Sequence, residues 1–64
     1  MKLLDSQTEL EVKIGDWIKD FRGDEVQVLG YYQRPAPSTG RVIVKDKFGE
    51  HEYYPGVIGC KIVE

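Results

Sequence analysis

Cysteine and histidine each occur once, as Cys60 and His51. A single cysteine excludes the disulfide framework of a stapled secreted mini-protein. A single histidine leaves a cysteine nucleophile one candidate base and a metal ion one candidate imidazole. No apolar run approaches the roughly 20 residues that a membrane helix needs. Charge arrives at Lys2 and Asp5, too early for the apolar region of a signal peptide, so the expected compartment is the cytoplasm. Positive charge is also scarce. Nine Lys and Arg face eleven Asp and Glu, a net charge of −2. A general nucleic-acid binder draws its affinity from a surplus of cations, which this chain lacks globally; a local basic patch stays open.

Sixty-four residues make one domain. A chain this short buries only about 60% of the surface it exposes when unfolded. That leaves little interior for a catalytic constellation, and dimerisation would be a natural way to bury more apolar area. Hydrophobic residues make up 41% and charged residues 31%, a globular balance rather than a disordered one. Seven glycines and three prolines imply frequent turns, and the many Val, Ile and Tyr residues favour strands over helices.

Residues 1–11 show no clear period and read as an arm or a short strand. Ser6 and Glu9 have the spacing of a capping box, but no helical stripe follows them. The segment from Val12 to Ile18 reads as a turn leading into a first strand. Asp20-Phe21-Arg22-Gly23-Asp24 is a polar turn around one aromatic, with Phe21 expected to plug the core and Gly23 to take an unusual φ. From Glu25 to Gln33 the alternation is clear. Val26, Val28, Gly30 and Tyr32 would share one face, and Gln27, Leu29, Tyr31 and Gln33 the other, with Gly30 marking a bulge or bend. Prolines 35 and 37 and Gly40 make residues 34–40 a loop. Val42 and Val44 alternate inward on the next strand. Gly49 suits a hairpin turn, and residues 50–54 return. Tyr54 to Gly59 reads as a single 3₁₀ turn before a last strand from Cys60 to Val63. The expected core is Val26, Val28, Val42, Val44 and Ile62.

The fold class is therefore all-β. Five short strands, no helix and a one-turn break before the last strand point to a small SH3-like barrel over residues 12–64, with residues 1–11 outside it.

Few residues carry chemistry. Glu50-His51-Glu52 cannot converge on a metal, because neighbours on a strand point to opposite faces. No metal and no cofactor are expected. Cys60 reads as a small buried hydrophobe. Ser38 and Thr39 read as turn residues. Arg22 would be an exposed ligand in the first long loop, or part of a purely structural turn. Arg34 and Arg41 bracket the proline loop, with Tyr31 and Tyr32 at its entrance and Tyr53 and Tyr54 across from it. Arg beside exposed Tyr is the composition of a recognition surface, for proteins or for stacked bases. In each Tyr pair one ring should face the core and one the solvent. Arg22, Tyr31, Arg34, Arg41 and Tyr53 are the candidate binding residues.

The run Lys13-Ile14-Gly15-Asp16-Trp17-Ile18 resembles the opening strand of SH3-like and KOW-like barrels. With Asp20-Phe21-Arg22-Gly23, Ser38-Thr39-Gly40-Arg41-Val42 and Tyr53-Tyr54-Pro55-Gly56-Val57, the pattern resembles small proteins encoded in phages and bacterial prophages, of unassigned function. The resemblance spans residues 12–64. It implies the barrel fold and carries no activity. The expected function is a non-enzymatic binding module, a phage or prophage accessory protein that binds a host or phage protein. Two alternatives stay open. One is RNA or DNA binding through the same Arg and Tyr residues. The other is capture of a small anionic ligand, such as a nucleotide, between subunits of a homo-oligomer. A membrane is not an expected partner.

Overall fold

The computed structural model describes residues 1–33 and 40–63. Among them the regular elements are β1 (Lys2–Asp5), β2 (Glu11–Val12), β3 (Trp17–Lys19), β4 (Glu25–Tyr32), β5 (Arg41–Asp46), β6 (Gly49–Tyr53), a 3₁₀ turn (Pro55–Ile58) and β7 (Cys60–Val63). The protein is all-β. The strands form two antiparallel sheets, of order β2-β1-β7 and β3-β4-β5-β6. No ladder joins the sheets among the described residues, so seven strands in two open sheets stand where five in a closed barrel were expected.

Two sequence features account for the difference in strand count. Lys2-Leu3-Leu4-Asp5 forms the central strand of the smaller sheet, pairing with β7 from Lys2↔Val63 to Asp5↔Cys60 and with β2 at Leu3↔Val12. The predicted first strand, 12–18, is interrupted at its middle. Asp16 accepts the Lys13 N–H through Oδ2 (2.9 Å) and donates its own N–H to the Lys13 carbonyl (3.0 Å). Gly15 supplies φ +97°, which the turn requires. The local turn thus wins over the alternation of Val12 and Ile14, and Ile14 is exposed.

The core sits between the sheets. Leu3, Val26, Val28, Val42 and Val44 are fully buried, joined by Val12, Ile58 and Cys60. Ile18, Tyr31, Tyr53 and Ile62 pack against this cluster while partly exposed. The valine phase read from sequence therefore holds. Ile62 is at the margin, and Leu3 supplies a central residue that the aperiodic N-terminal segment concealed. Phe21 does not plug the core; it is 60% exposed.

The register of β4 shifts between Val28 and Gly30. Leu29 is the extra residue, and one extra residue reverses the inward phase of everything after it. Beyond the bulge, Tyr31 pairs with Val42, which pairs with Tyr53. These three lie in one inward row. Tyr32, expected to face inward with Val26 and Val28, turns outward and donates its hydroxyl to Glu52 Oε1 (2.5 Å).

Candidate functional site

The turn after β3 is built by one carboxylate. Asp20 Oδ1 accepts the backbone N–H of Arg22 (2.9 Å) and of Asp24 (3.0 Å). The Gly23 N–H donates to the Asp20 carbonyl (3.0 Å), with Gly23 at φ +83°. The side chain of Asp20 is fully covered. Arg22 folds back over it, donating from Nη2 (3.1 Å) and Nε (3.3 Å) to Asp20 Oδ2. Its Nη2 also reaches Asp46 Oδ2 (3.5 Å) in the β5–β6 hairpin. Arg22 is thus a strut between the two turns, half exposed, with its guanidinium engaged within the chain.

Asp46 is the second buried carboxylate of this cluster. It accepts the Phe48 N–H (2.7 Å) and lies 3.4 Å from His51 Nε2. Burial pushes the pKa values of Asp20 and Asp46 up, but the hydrogen bonds more than offset it. For Asp20 these come from the Arg22 and Asp24 amides and the Arg22 side chain; for Asp46 they come from the Phe48 amide and His51, helped by the positive charge of Arg22. Both carboxyls end below the ordinary value. A depressed folded-state pKa contributes stability that is present above the unfolded value, near pH 4, and is lost as pH falls through the folded value. Acid destabilisation is therefore expected to set in below about pH 4. Thermal melts between pH 2 and 6 check this. Asp20→Asn should show a lower Tm at neutral pH and a shallower loss toward acid, whereas an acid limb as steep as that of the wild type would refute the assignment.

These turns frame a cleft of about 510 Å³ between the sheets. One wall is residues 17–21, the other is residues 57–60, and Asp5 and Gln7 close an end. Its floor includes half-buried Ile18 and buried Ile58 and Cys60, and its rim carries exposed Trp17 (61%), Phe21 and Val57. Phe21 meets Tyr53 edge to face at 5.8 Å between ring centroids, and the Arg22 guanidinium carbon lies 5.4 Å from the Phe21 ring centre. The Ser6 N–H donates to the Gly59 carbonyl (2.8 Å), which holds the closed end to the far wall. Burial and, next, the nearby Asp5 carboxylate push the Cys60 thiol up to about 11. At neutral pH it is a thiol, a poor nucleophile and a poor metal ligand.

The sequence candidates are distributed as follows. Arg22 braces the cleft wall. Tyr31 and Tyr53 are the inward members of their pairs, packed on the core, because of the Leu29 bulge and the Val42↔Tyr53 register. The outward members are Tyr32 and Tyr54. Arg41 stacks its guanidinium 3.9 Å from the Tyr54 ring centre and donates from Nη1 to the Gly40 carbonyl (3.0 Å). Arg34 and most of the proline loop lie outside the described residues. Sequence reasoning missed Trp17, Phe21 and Val57 as site residues. The signal available was a lone tryptophan followed by charged residues on a short strand. Among the described residues no group of His, Cys, Asp and Glu is arranged to hold a metal ion, and no helix is long and apolar enough to cross a membrane. The chain matches no known family model, no curated protein and no solved structure.

Proposed function

We propose that the protein is a non-enzymatic binding module, an SH3-like barrel whose two sheets stay unjoined, and that the cleft between β3 and the 3₁₀ turn docks another protein. The observation that carries this reading is the concentration of exposed Trp17, Phe21 and Val57 around an apolar floor. Aromatic side chains of this kind dominate the energetics of protein interfaces. The resemblance to phage and prophage proteins makes a host or phage protein the natural partner class, met in the cytoplasm. The inert Cys60 and the intrachain pairing of Arg22 and Asp46 with their neighbours leave little for catalysis.

Charge favours a protein over a nucleic acid. The clefts that display Trp17 and Phe48 hold Lys19, Lys45 and Lys47, and Arg22 bridges Asp20 and Asp46; against these four cations stand Asp5, Asp20, Asp24, Glu25 and Asp46. A phosphate backbone would meet net negative charge there.

The test is affinity capture from the host cell with the wild type and a Trp17→Ser/Phe21→Ser variant, each with and without nuclease. Both side chains are exposed, so the variant should keep its fold by circular dichroism. Proteins retained by the wild type, insensitive to nuclease and to moderate salt, and absent from the variant are the expected result. Equal capture by both would refute the cleft as the docking site. Loss on nuclease treatment would favour nucleic acid.

A further inference from the structure

The hydrogen bonds at the two ends of β3 reveal what its free edge offers. At one end the Val28 N–H donates to the Asp16 carbonyl (2.9 Å); at the other the Asp20 N–H donates to the Asp24 carbonyl (2.9 Å). Between them the register is Trp17↔Gln27, Ile18↔Val26 and Lys19↔Glu25. Antiparallel ladders alternate between hydrogen-bonded and non-hydrogen-bonded pairs. The Asp16 carbonyl, the Ile18 N–H and C=O and the Asp20 N–H therefore point at β4, and Trp17 and Lys19 point their peptide groups away. The N–H and C=O of both residues face the cleft, and none has a hydrogen-bond partner among the described residues.

We propose that the cleft binds an extended segment of a partner protein by strand addition to β3. This deepens the protein-binding reading above and rests on it. Strand addition takes affinity from main-chain hydrogen bonds and specificity from alternate side chains. The edge offers two donors and two acceptors, enough to fix the register of a short segment. The side chain opposite Ile18 points inward, over Ile58 and Cys60, and a β-branched Val or Ile fits that apolar floor. The flanking residues point outward beside Trp17 and Lys19. A cation suits the indole face, and a carboxylate suits the Lys19 ammonium. The preferred segment is thus basic–β-branched–acidic, read along the direction that sets its basic residue beside Trp17.

A lone extended segment fits this edge better than a second copy does. Neighbouring strands lie about 4.8 Å apart. A segment without a sheet behind it can lie between β3 and the wall at residues 57–60. A second copy's β3 arrives attached to its own β4 and flanked by its own such wall, so edge-to-edge pairing sets wall against wall.

The probe is a library of random linear heptapeptides displayed on phage and selected against the immobilised wild-type chain. Enrichment of one β-branched position flanked by a basic and an acidic residue is expected. Adding the strongest peptide, made synthetically, to ¹⁵N-labelled protein should slow hydrogen exchange at the Trp17 and Lys19 amides by roughly tenfold or more. Lys19→Pro removes one outward donor and no β3–β4 bond, so it should weaken the peptide by roughly tenfold while the melt stays cooperative. Exchange on the wild type decides the matter if that variant fails to fold. No such enrichment, or a bound peptide that leaves the two amides unprotected, overturns strand addition. So does sedimentation showing that the free chain already pairs this edge as a dimer with both amides protected. A peptide that quenches Trp17 without protecting the amides overturns strand addition alone. The docking reading itself fails only if the Trp17→Ser/Phe21→Ser variant keeps the wild-type partners.

Discussion

Val44→Asp abolishes the cooperative thermal transition. Val44 is fully buried at the centre of β5, flanked across the strands by Val28 and His51. The core cluster around it is apolar, and the imidazole across the strand, His51, is already set against Asp46, 3.4 Å from its Oδ1. An unpaired charge there costs several kcal/mol, or is neutralised by proton uptake at a cost that grows with pH. A domain of this size has only about 3–5 kcal/mol to lose. Val44→Ala is the matched control, because it removes volume without adding charge and should lower the Tm while leaving a cooperative transition. Circular dichroism at neutral pH checks both. An intact cooperative melt for Val44→Asp would mean that β5 presents its other face to the core.

The burial of Val44 is legible in the amino-acid pattern alone. Val26, Val28, Val42 and Val44 alternate with other residues on segments long enough to show period two, and all four are buried. Gly23 and Gly49 are readable from their turns and do take positive φ. The 3₁₀ turn is marked by Pro55, Gly56 and Gly59, with Gly59 at φ +70° ending it. What is not legible has physical reasons. A single inserted residue at Leu29 exchanges Tyr31 and Tyr32 between faces, and nothing in Gly30 says on which side of it the insertion falls. β1 and β2 are too short to show a period. The cleft cannot be read locally at all. Its walls lie some forty residues apart in the chain, and only the docking of the two sheets brings Trp17 toward Val57. Arg22 reads as a free ligand because the partner that engages it from outside its own turn, Asp46, is far along the sequence.

The N-terminal segment leads to the other large effect: a chain truncated to residues 12–64 does not fold. The boundary follows the resemblance to barrel domains, but in the structure it cuts through the smaller sheet. β1 is the middle strand of that sheet, so the fragment keeps only Val12 of β2 and leaves β7 without the strand it pairs with. Leu3 is fully buried and packs in the same cluster as Ile58 and Cys60. Loss of that side chain alone removes about 1.5–3 kcal/mol of burial free energy. Exposure of Ile58 and Cys60 adds to it, and the backbone groups of β7 lose their ladder at Asp5↔Cys60 through Lys2↔Val63. The sum exceeds the few kcal/mol available to so small a domain. Leu3→Asp in the full chain tests the same packing without altering length and should also unfold it, whereas Lys2→Ala, at an exposed position, should change the Tm little. Far-ultraviolet circular dichroism and amide-proton dispersion of the 12–64 fragment decide the point. A dispersed spectrum with a cooperative melt would establish residues 12–64 as the folding unit and reduce β1 to an accessory strand.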